Sequence, residues 1–197
     1  MIHESPSGLR RAVMIVALAN FTYFFVEFAV AQRIASVSLF ADSVDFLEDT
    51  AVNFLIFAAL GWTPRRRARV GMLLAGILLI PALAFLWTAW RKLHAPTPPE
   101  PLLLSLTGLG ALSINLGCAF LLARFRHHAG SLTRAAFLSA RNDALANVAI
   151  IAAGLVTLLW PSVWPDLVVG LGIAAVNADA AREVWEAARG EHAETEP

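Results

Sequence analysis

Asp42, Asp45, Glu48 and Asp49 crowd the stretch SLFADSVDFLEDTAVNFLIFAAL, which is otherwise apolar enough to cross a bilayer. A carboxylate in hydrocarbon costs roughly 2.5 to 3.5 kcal/mol on insertion scales. Several on one segment must therefore face a protected polar cavity, and the natural occupant of such a cavity is a cation. The chemistry these residues offer is reversible ion binding.

Helical geometry sorts the acids. At about 100° per residue, Asp42, Asp45 and Asp49 fall on one arc that Asn53 extends, while Glu48 belongs to another face. A later apolar segment carries Ser139, Asp143 and Asn147 on a single stripe, with Arg141 pointing nearly opposite. The two segments echo each other: Asp45, Glu48, Asp49 and Asn53 have the spacing of Ser139, Asn142, Asp143 and Asn147. Packed side by side, they bring Asp45, Asp49 and Asp143 around one point. Carboxylates gathered in low dielectric repel unless a cation or protons join them. The competing arrangement has the acids pairing with Arg141 or lining water-filled gaps, but one arginine cannot neutralise so many.

The elements that must hold these residues are membrane helices. Of 197 residues, 58% are hydrophobic, above the 45 to 50% usual in soluble domains. Six spans can be drawn, at 12–31, 38–61, 70–90, 102–123, 135–159 and 164–181. The first apolar run continues unbroken to Val30, too long for a cleavable signal core, so it reads as a retained span. The Pro-rich HAPTPPEP separates spans three and four, RFRHHAGSLTR joins four to five, and Asp166 reads as an N-cap for the sixth. Arg10, Arg11, Arg65, Arg66, Arg67, Arg69, Arg124, Arg126, Arg134, Arg182 and Arg189 fall on one side of the membrane. Only Arg33, Arg91 and Lys92 fall on the other. The expected architecture is an all-α integral membrane protein with six transmembrane helices and both termini cytoplasmic. Residues 1–11 form a cytoplasmic lead, 12–188 the transport domain and 189–197 a short polar disordered tail. Trp62, Trp87, Trp90, Trp160, Trp164 and Trp185 sit at span ends, as interfacial anchors do. Zero formal net charge points to no nucleic-acid partner, and the single Cys118 excludes an internal disulfide.

The chain resembles the cation diffusion facilitators, the cation-efflux family of divalent-metal/proton antiporters. Their second helix carries Ala-Asp-x-x-[His/Asp]-x-x-x-Asp, read here as Ala41-Asp42-Ser43-Val44-Asp45-Phe46-Leu47-Glu48-Asp49. Their fifth carries [His/Asp]-x-x-x-Asp, against Ser139-Ala140-Arg141-Asn142-Asp143 here. Asn20 and Glu27 match the polar residues of their first helix, and Asp166 matches the Asp opening their sixth. The likeness runs over about residues 10 to 188. It implies that Asp45, Asp49 and Asp143 bind a transported metal, with the fourth ligand position falling on Ser139. Serine is a poor ligand, so Asn142, Asn147, a water or Asp42 completes the shell, and Glu27 handles protons or pairs with a charge. Without an imidazole the site is harder and suits Mn²⁺ or Mg²⁺, whereas Zn²⁺ prefers nitrogen and sulfur but accepts carboxylate. Family frequency puts Zn²⁺ first among Zn²⁺, Mn²⁺, Cd²⁺, Co²⁺ and Fe²⁺.

The resemblance further implies metal as cargo with no prosthetic group, contact with membrane lipid, and a homodimer held through membrane helices. The family's C-terminal cytoplasmic domain has no counterpart in this sequence. Gly71 and Gly76, or Gly108 and Gly117, would allow close helix contacts. His127 and His128 stand where the family often carries a metal-collecting loop. Compactness and an Arg-over-Lys bias suggest a bacterial inner membrane. A membrane enzyme such as a CDP-alcohol phosphotransferase shares Asp42-x-x-Asp45, but Phe46 and Leu47 stand where it needs Gly and an Ala-Arg pair. The protein is therefore expected not to be an enzyme. A proton-coupled organic-cation transporter would use the same acids.

Overall fold

A computed structural model describes residues 6–59, 83, 85–125 and 130–176. Among these residues there are six helices and no strand: α1 (Pro6–Ile34), α2 (Val37–Ala59), α3 (85–94), α4 (Pro101–Ala123), α5 (Gly130–Leu159) and α6 (Trp164–Val176). Gly8–Ile34, Pro101–Ala123 and Ser139–Leu159 are long and apolar enough to cross a membrane. The acids of α2 keep that equally long helix out of the set. Helix α5 begins at Gly130, so 130–134 are helical rather than part of the connecting loop. No proline interrupts that stretch, and the helix of the following span extends back through it. At the start of α4, Pro101 takes the first position, where a missing N–H costs nothing. The Glu100 carboxylate caps the N–H groups of Leu102 and Leu103 at 3.1 and 2.6 Å.

The polarity of the bundle is inverted relative to a soluble protein. Asn20, Glu27, Asp42, Asn53, Asn115 and Asn147 are buried. Leu159 is 86% exposed and Phe120 75%, with Leu18, Leu106, Leu145 and Val168 also outward. Trp87, Trp90, Trp160 and Trp164 are exposed as well. An exposed patch this large marks contact with another apolar phase, here the acyl chains of a bilayer.

Helix α1 packs along α2 and α4 along α5, while α1 meets α4 and α2 meets α5. One apolar cluster, including Leu39, Phe40, Leu104, Ile150 and Leu167, seals the end near the α1–α2 turn. A second, including Val13, Val16, Ile56, Leu122 and Ala140, lies toward the opposite end. Gly108 brings α4 against Ile150 and Ile151 of α5, whereas Gly117 faces open space. Gly71 and Gly76 lie outside the described residues. Tyr23 Oη donates to the Thr107 carbonyl at 2.6 Å and ties α1 to α4.

Asp166 does something other than cap its own helix. It lies in the first turn of α6, whose Trp164 N–H is taken by Ser162 Oγ at 3.4 Å. The Asp166 carboxylate instead caps α2, accepting from the Val37 and Ser38 N–H groups at 2.9 and 3.1 Å. It also accepts from the Ser36 and Ser38 hydroxyls at 2.6 and 2.7 Å. The reason is electrostatic: the free N–H groups and dipole of α2 form a better anion site than water can reach here. Lys92 Nζ completes the knot, 2.7 Å from Asp166 Oδ2 and 2.6 Å from the Ala35 carbonyl. Ala35 ends α1 in the left-handed region, at φ 50°, with Ser36 N–H bonding back to the Ala31 carbonyl at 3.0 Å. That conformation usually takes glycine. Gly170 lets α6 approach this close, since a Cβ there would meet the Val37–Ser38 backbone at 2.7 Å.

Removing one partner of a buried ion pair costs about 3 to 5 kcal/mol. Asp166→Ala strands the Lys92 ammonium and uncaps α2 together, so it is expected to lower stability by about that amount in thermal or denaturant unfolding. Lys92→Met leaves the carboxylate its four other donors and is expected to cost less. Equal losses in the two variants would show that the cap contributes nothing.

Candidate functional site

Because α1 turns sharply into α2 at the knot, α2 presents Asp42, then Asp45, then Asp49 with increasing distance from that end. Asn147 Nδ2 donates to Asp42 Oδ2 at 2.6 Å. Ser139 Oγ donates to Asp49 Oδ1 at 3.0 Å. Going from Asp42 to Asp49 along α2 thus means going backward from Asn147 to Ser139 along α5. The helices are antiparallel, and their register sets Asp45 level with Asp143. In keeping with this, Asp143 is an electrostatic neighbour of Asp45.

Asp143 Oδ2 lies 3.5 Å from the Ser139 hydroxyl that Asp49 accepts. One serine therefore bridges carboxylates from two helices. Asp45 and Asp49 are buried and Asp143 is half-buried, while Glu48, about 100° round the helix from Asp49, is exposed. Among the described residues, no three Asp, Glu, His or Cys side chains are drawn together into a finished metal shell. The Ser139 hydroxyl lies between Asp49 and Asp143 instead.

The supporting polar groups come from α1 and α4. Asn20 Nδ2 donates to Asp49 Oδ2 at 3.3 Å, and the Cys118 thiol lies 3.6 Å from Asn20 Oδ1. Asn53 Nδ2 bonds back to the Asp49 carbonyl at 2.9 Å, so it sits beside the aspartate without reaching its carboxylate. Asn115 Nδ2 donates to Asn147 Oδ1 at 2.9 Å and fixes the amide that holds Asp42. Buried polar groups held in this way are oriented before any ligand arrives.

The residues singled out from sequence separate accordingly. Asp49, Asp143 and Ser139 share one cluster with Asp45 alongside. Asp42 and Asn147 pair with each other one turn away, and Glu27, fully buried on α1, is an electrostatic neighbour of Asp42. Asn142 is not brought to the cluster: it is exposed and accepts from Arg141 Nη2 at 3.4 Å. The cause is rotational, since one residue from Asp143 turns the side chain about 100° away. Arg141 is likewise exposed and bonded to Asn142 rather than to an acid. His127 and His128 lie outside the described residues. Asn115 and the Lys92–Asp166 pair were not singled out by sequence reasoning. An amide within so apolar a segment as α4 was the available signal for Asn115.

A search among curated proteins finds no match. The profile of the cation efflux transmembrane domain matches residues 13–189, nearly the whole chain. That domain belongs to transporters rather than enzymes, and it moves metal cations as cargo without a prosthetic group. With a seam of buried acids running between two helices of an apolar-walled bundle, this integral membrane protein belongs to the cation efflux family and transports metal cations.

Proposed function

We propose that the chain is a divalent transition-metal/proton antiporter whose cargo binds Asp45, Asp49 and Asp143 between α2 and α5. The single observation that carries this reading is the Ser139 hydroxyl shared by Asp49 and Asp143 at the level of Asp45. It supports a site assembled by the cargo itself. An arriving ion replaces the serine hydrogen bond, draws the carboxylates inward and takes their charge, with Ser139 Oγ or water as the weak fourth ligand. Asn20 steadies Asp49 from the second layer. Protons compete for the same oxygens, so release toward an acidic side follows from ligand protonation. The empty site returns protonated, without unpaired charge in the hydrocarbon.

All-oxygen donors accept Zn²⁺ and suit Mn²⁺ well. Zn²⁺ is the first cargo proposed, with Mn²⁺, Cd²⁺, Co²⁺ and Fe²⁺ as alternatives. The arginine distribution supports six spans with both termini cytoplasmic. Compactness and the Arg-over-Lys bias support a bacterial plasma membrane, and the family resemblance supports a dimer contacting through membrane helices.

Proteoliposomes loaded under a proton gradient test the assignment with each metal in turn. Asp49→Ala is expected to abolish uptake, and undiminished uptake by that variant removes the proposed site. Asn20→Ala keeps every ligand but loosens Asp49, and is expected to weaken apparent metal affinity by about 10-fold to 100-fold. Acidification should act in one direction only. If two protons leave on binding, the dissociation constant rises by up to about 100-fold for each unit of pH lost below the carboxylate titration. A metal affinity independent of pH would exclude carboxylates as the ligands.

A further inference from the structure

Glu27 and Asp42 are both fully buried and lie within hydrogen-bond reach of each other, and among the described residues no N–H or hydroxyl donor reaches either Glu27 oxygen or Asp42 Oδ1. Leaving charged oxygens so placed is costly. The surroundings offer little to offset it. Neither acid has an ion-pair partner among the described residues, and Lys92 is committed to Asp166 at the knot. Tyr23, beside the pair on α1, gives its hydroxyl to the Thr107 carbonyl. Ser43, next to Asp42 in the chain, gives its own to the Phe40 carbonyl at 2.8 Å. One amide, Asn147 Nδ2, reaches Asp42, and Asn115 holds that amide in place. The result is a pair of acids in contact with a single amide donor beside them, whose charge a cation or protons must offset.

Its position is equally specific. Asp42 precedes Asp45 by three residues, about 4.5 Å along the helix axis and within the same arc. Asp42 also acts electrostatically on Asp45 and Asp143. The pair lies between the three-aspartate cluster and the Asp166 knot that closes the α1–α2 end.

We propose that Glu27 and Asp42, steadied by Asn147, form a second station for the divalent cation, one helical turn from the Asp45–Asp49–Asp143 site. This inference rests on the transport reading above. A divalent ion there neutralises both acids and gives the cargo a step from the first site toward the α1–α2 end. Access requires passing the first site, so the two stations fill in sequence.

Equilibrium binding of Cd²⁺ to the full chain in lipid nanodiscs tests it, with size-exclusion profile and helicity confirming that each variant folds. Wild type is expected to bind one more Cd²⁺ per chain than Glu27→Gln, and Asp42→Asn, which perturbs α2 instead of α1, is expected to lose the same ion. Asp49→Asn should remove a different ion, so that Glu27→Gln combined with Asp49→Asn loses both. Unchanged counts in Glu27→Gln and Asp42→Asn, with loss in Asp49→Asn, overturn the second station and leave the transport site standing. If Glu27→Gln alters only the protons released on Cd²⁺ binding and not the count, the pair carries protons and the inference fails. Counts unchanged in all the variants overturn the transport site as well.

Discussion

Everything in this bundle answers to the cost of burying carboxylates in an apolar phase. Four acids on about two turns of α2 leave few acceptable rotations for that helix. Three of them must face inward, and Glu48, at the wrong angle, is left exposed. The inward arc then needs polar company, and α1, α4 and α5 each supply it through amides or a hydroxyl: Asn20, Asn115, Asn147 and Ser139. The outward faces are free to be leucine, phenylalanine and valine. Helix packing follows from the polar seam, because the apolar faces gain as much from lipid as from each other.

The knot around Asp166 shows the same constraint handled by a different solution. There a buried carboxylate receives five donors, one of them a full positive charge. Satisfied to that degree, it is a rigid structural group, joining the α1–α2 turn, the end of α3 and the start of α6. Glu27 and Asp42 are buried as deeply, but beyond each other they have one donor, Asn147, among the described residues. Two acid sites of equal burial and opposite satisfaction suit opposite uses: the satisfied one holds helices together, and the other is the station proposed for an ion.

Which parts were readable in the sequence follows from how local their causes are. The arc of Asp42, Asp45 and Asp49 needs only the helical repeat, and the outward Glu48 comes from the same arithmetic. The pairing of α2 with α5 was legible because both carry acids that hydrocarbon would reject. Asn142 shows the limit, since a loose echo between helices was matched by spacing while the side chain's angle placed it outside. The Asp166 contact was invisible for a different reason. Its partners lie some 130 residues away in sequence, and a residue opening one helix carries no sign that its carboxylate caps another. Asn115 was overlooked because a single amide in a strongly apolar helix says that a partner exists without saying where.

Burial along the seam supplies a direction. Arg141 and Asn142 are exposed, Asp143 is half-buried, Asp45 and Asp49 are nearly covered, and Asp42 and Glu27 are wholly enclosed. Past them lie Leu39, Phe40 and Leu167 of the apolar cluster, then the Asp166 knot. Cover over the acids themselves therefore increases toward the α1–α2 end. On the proposed transport reading, an ion at the three aspartates leaves by the far end only if α2 shifts against α5 or α6, past the apolar cluster and the Asp166 knot. Gly170 lies close against the Val37–Ser38 backbone and the Val37 side chain, whereas Lys92–Asp166 is polar and resists separation in a dry interior. The closed end of the bundle is thus held by electrostatics at one point and by close packing around it. Two discrete arrangements of such an interface, rather than continuous deformation, are what alternating access between opposite faces of a membrane requires.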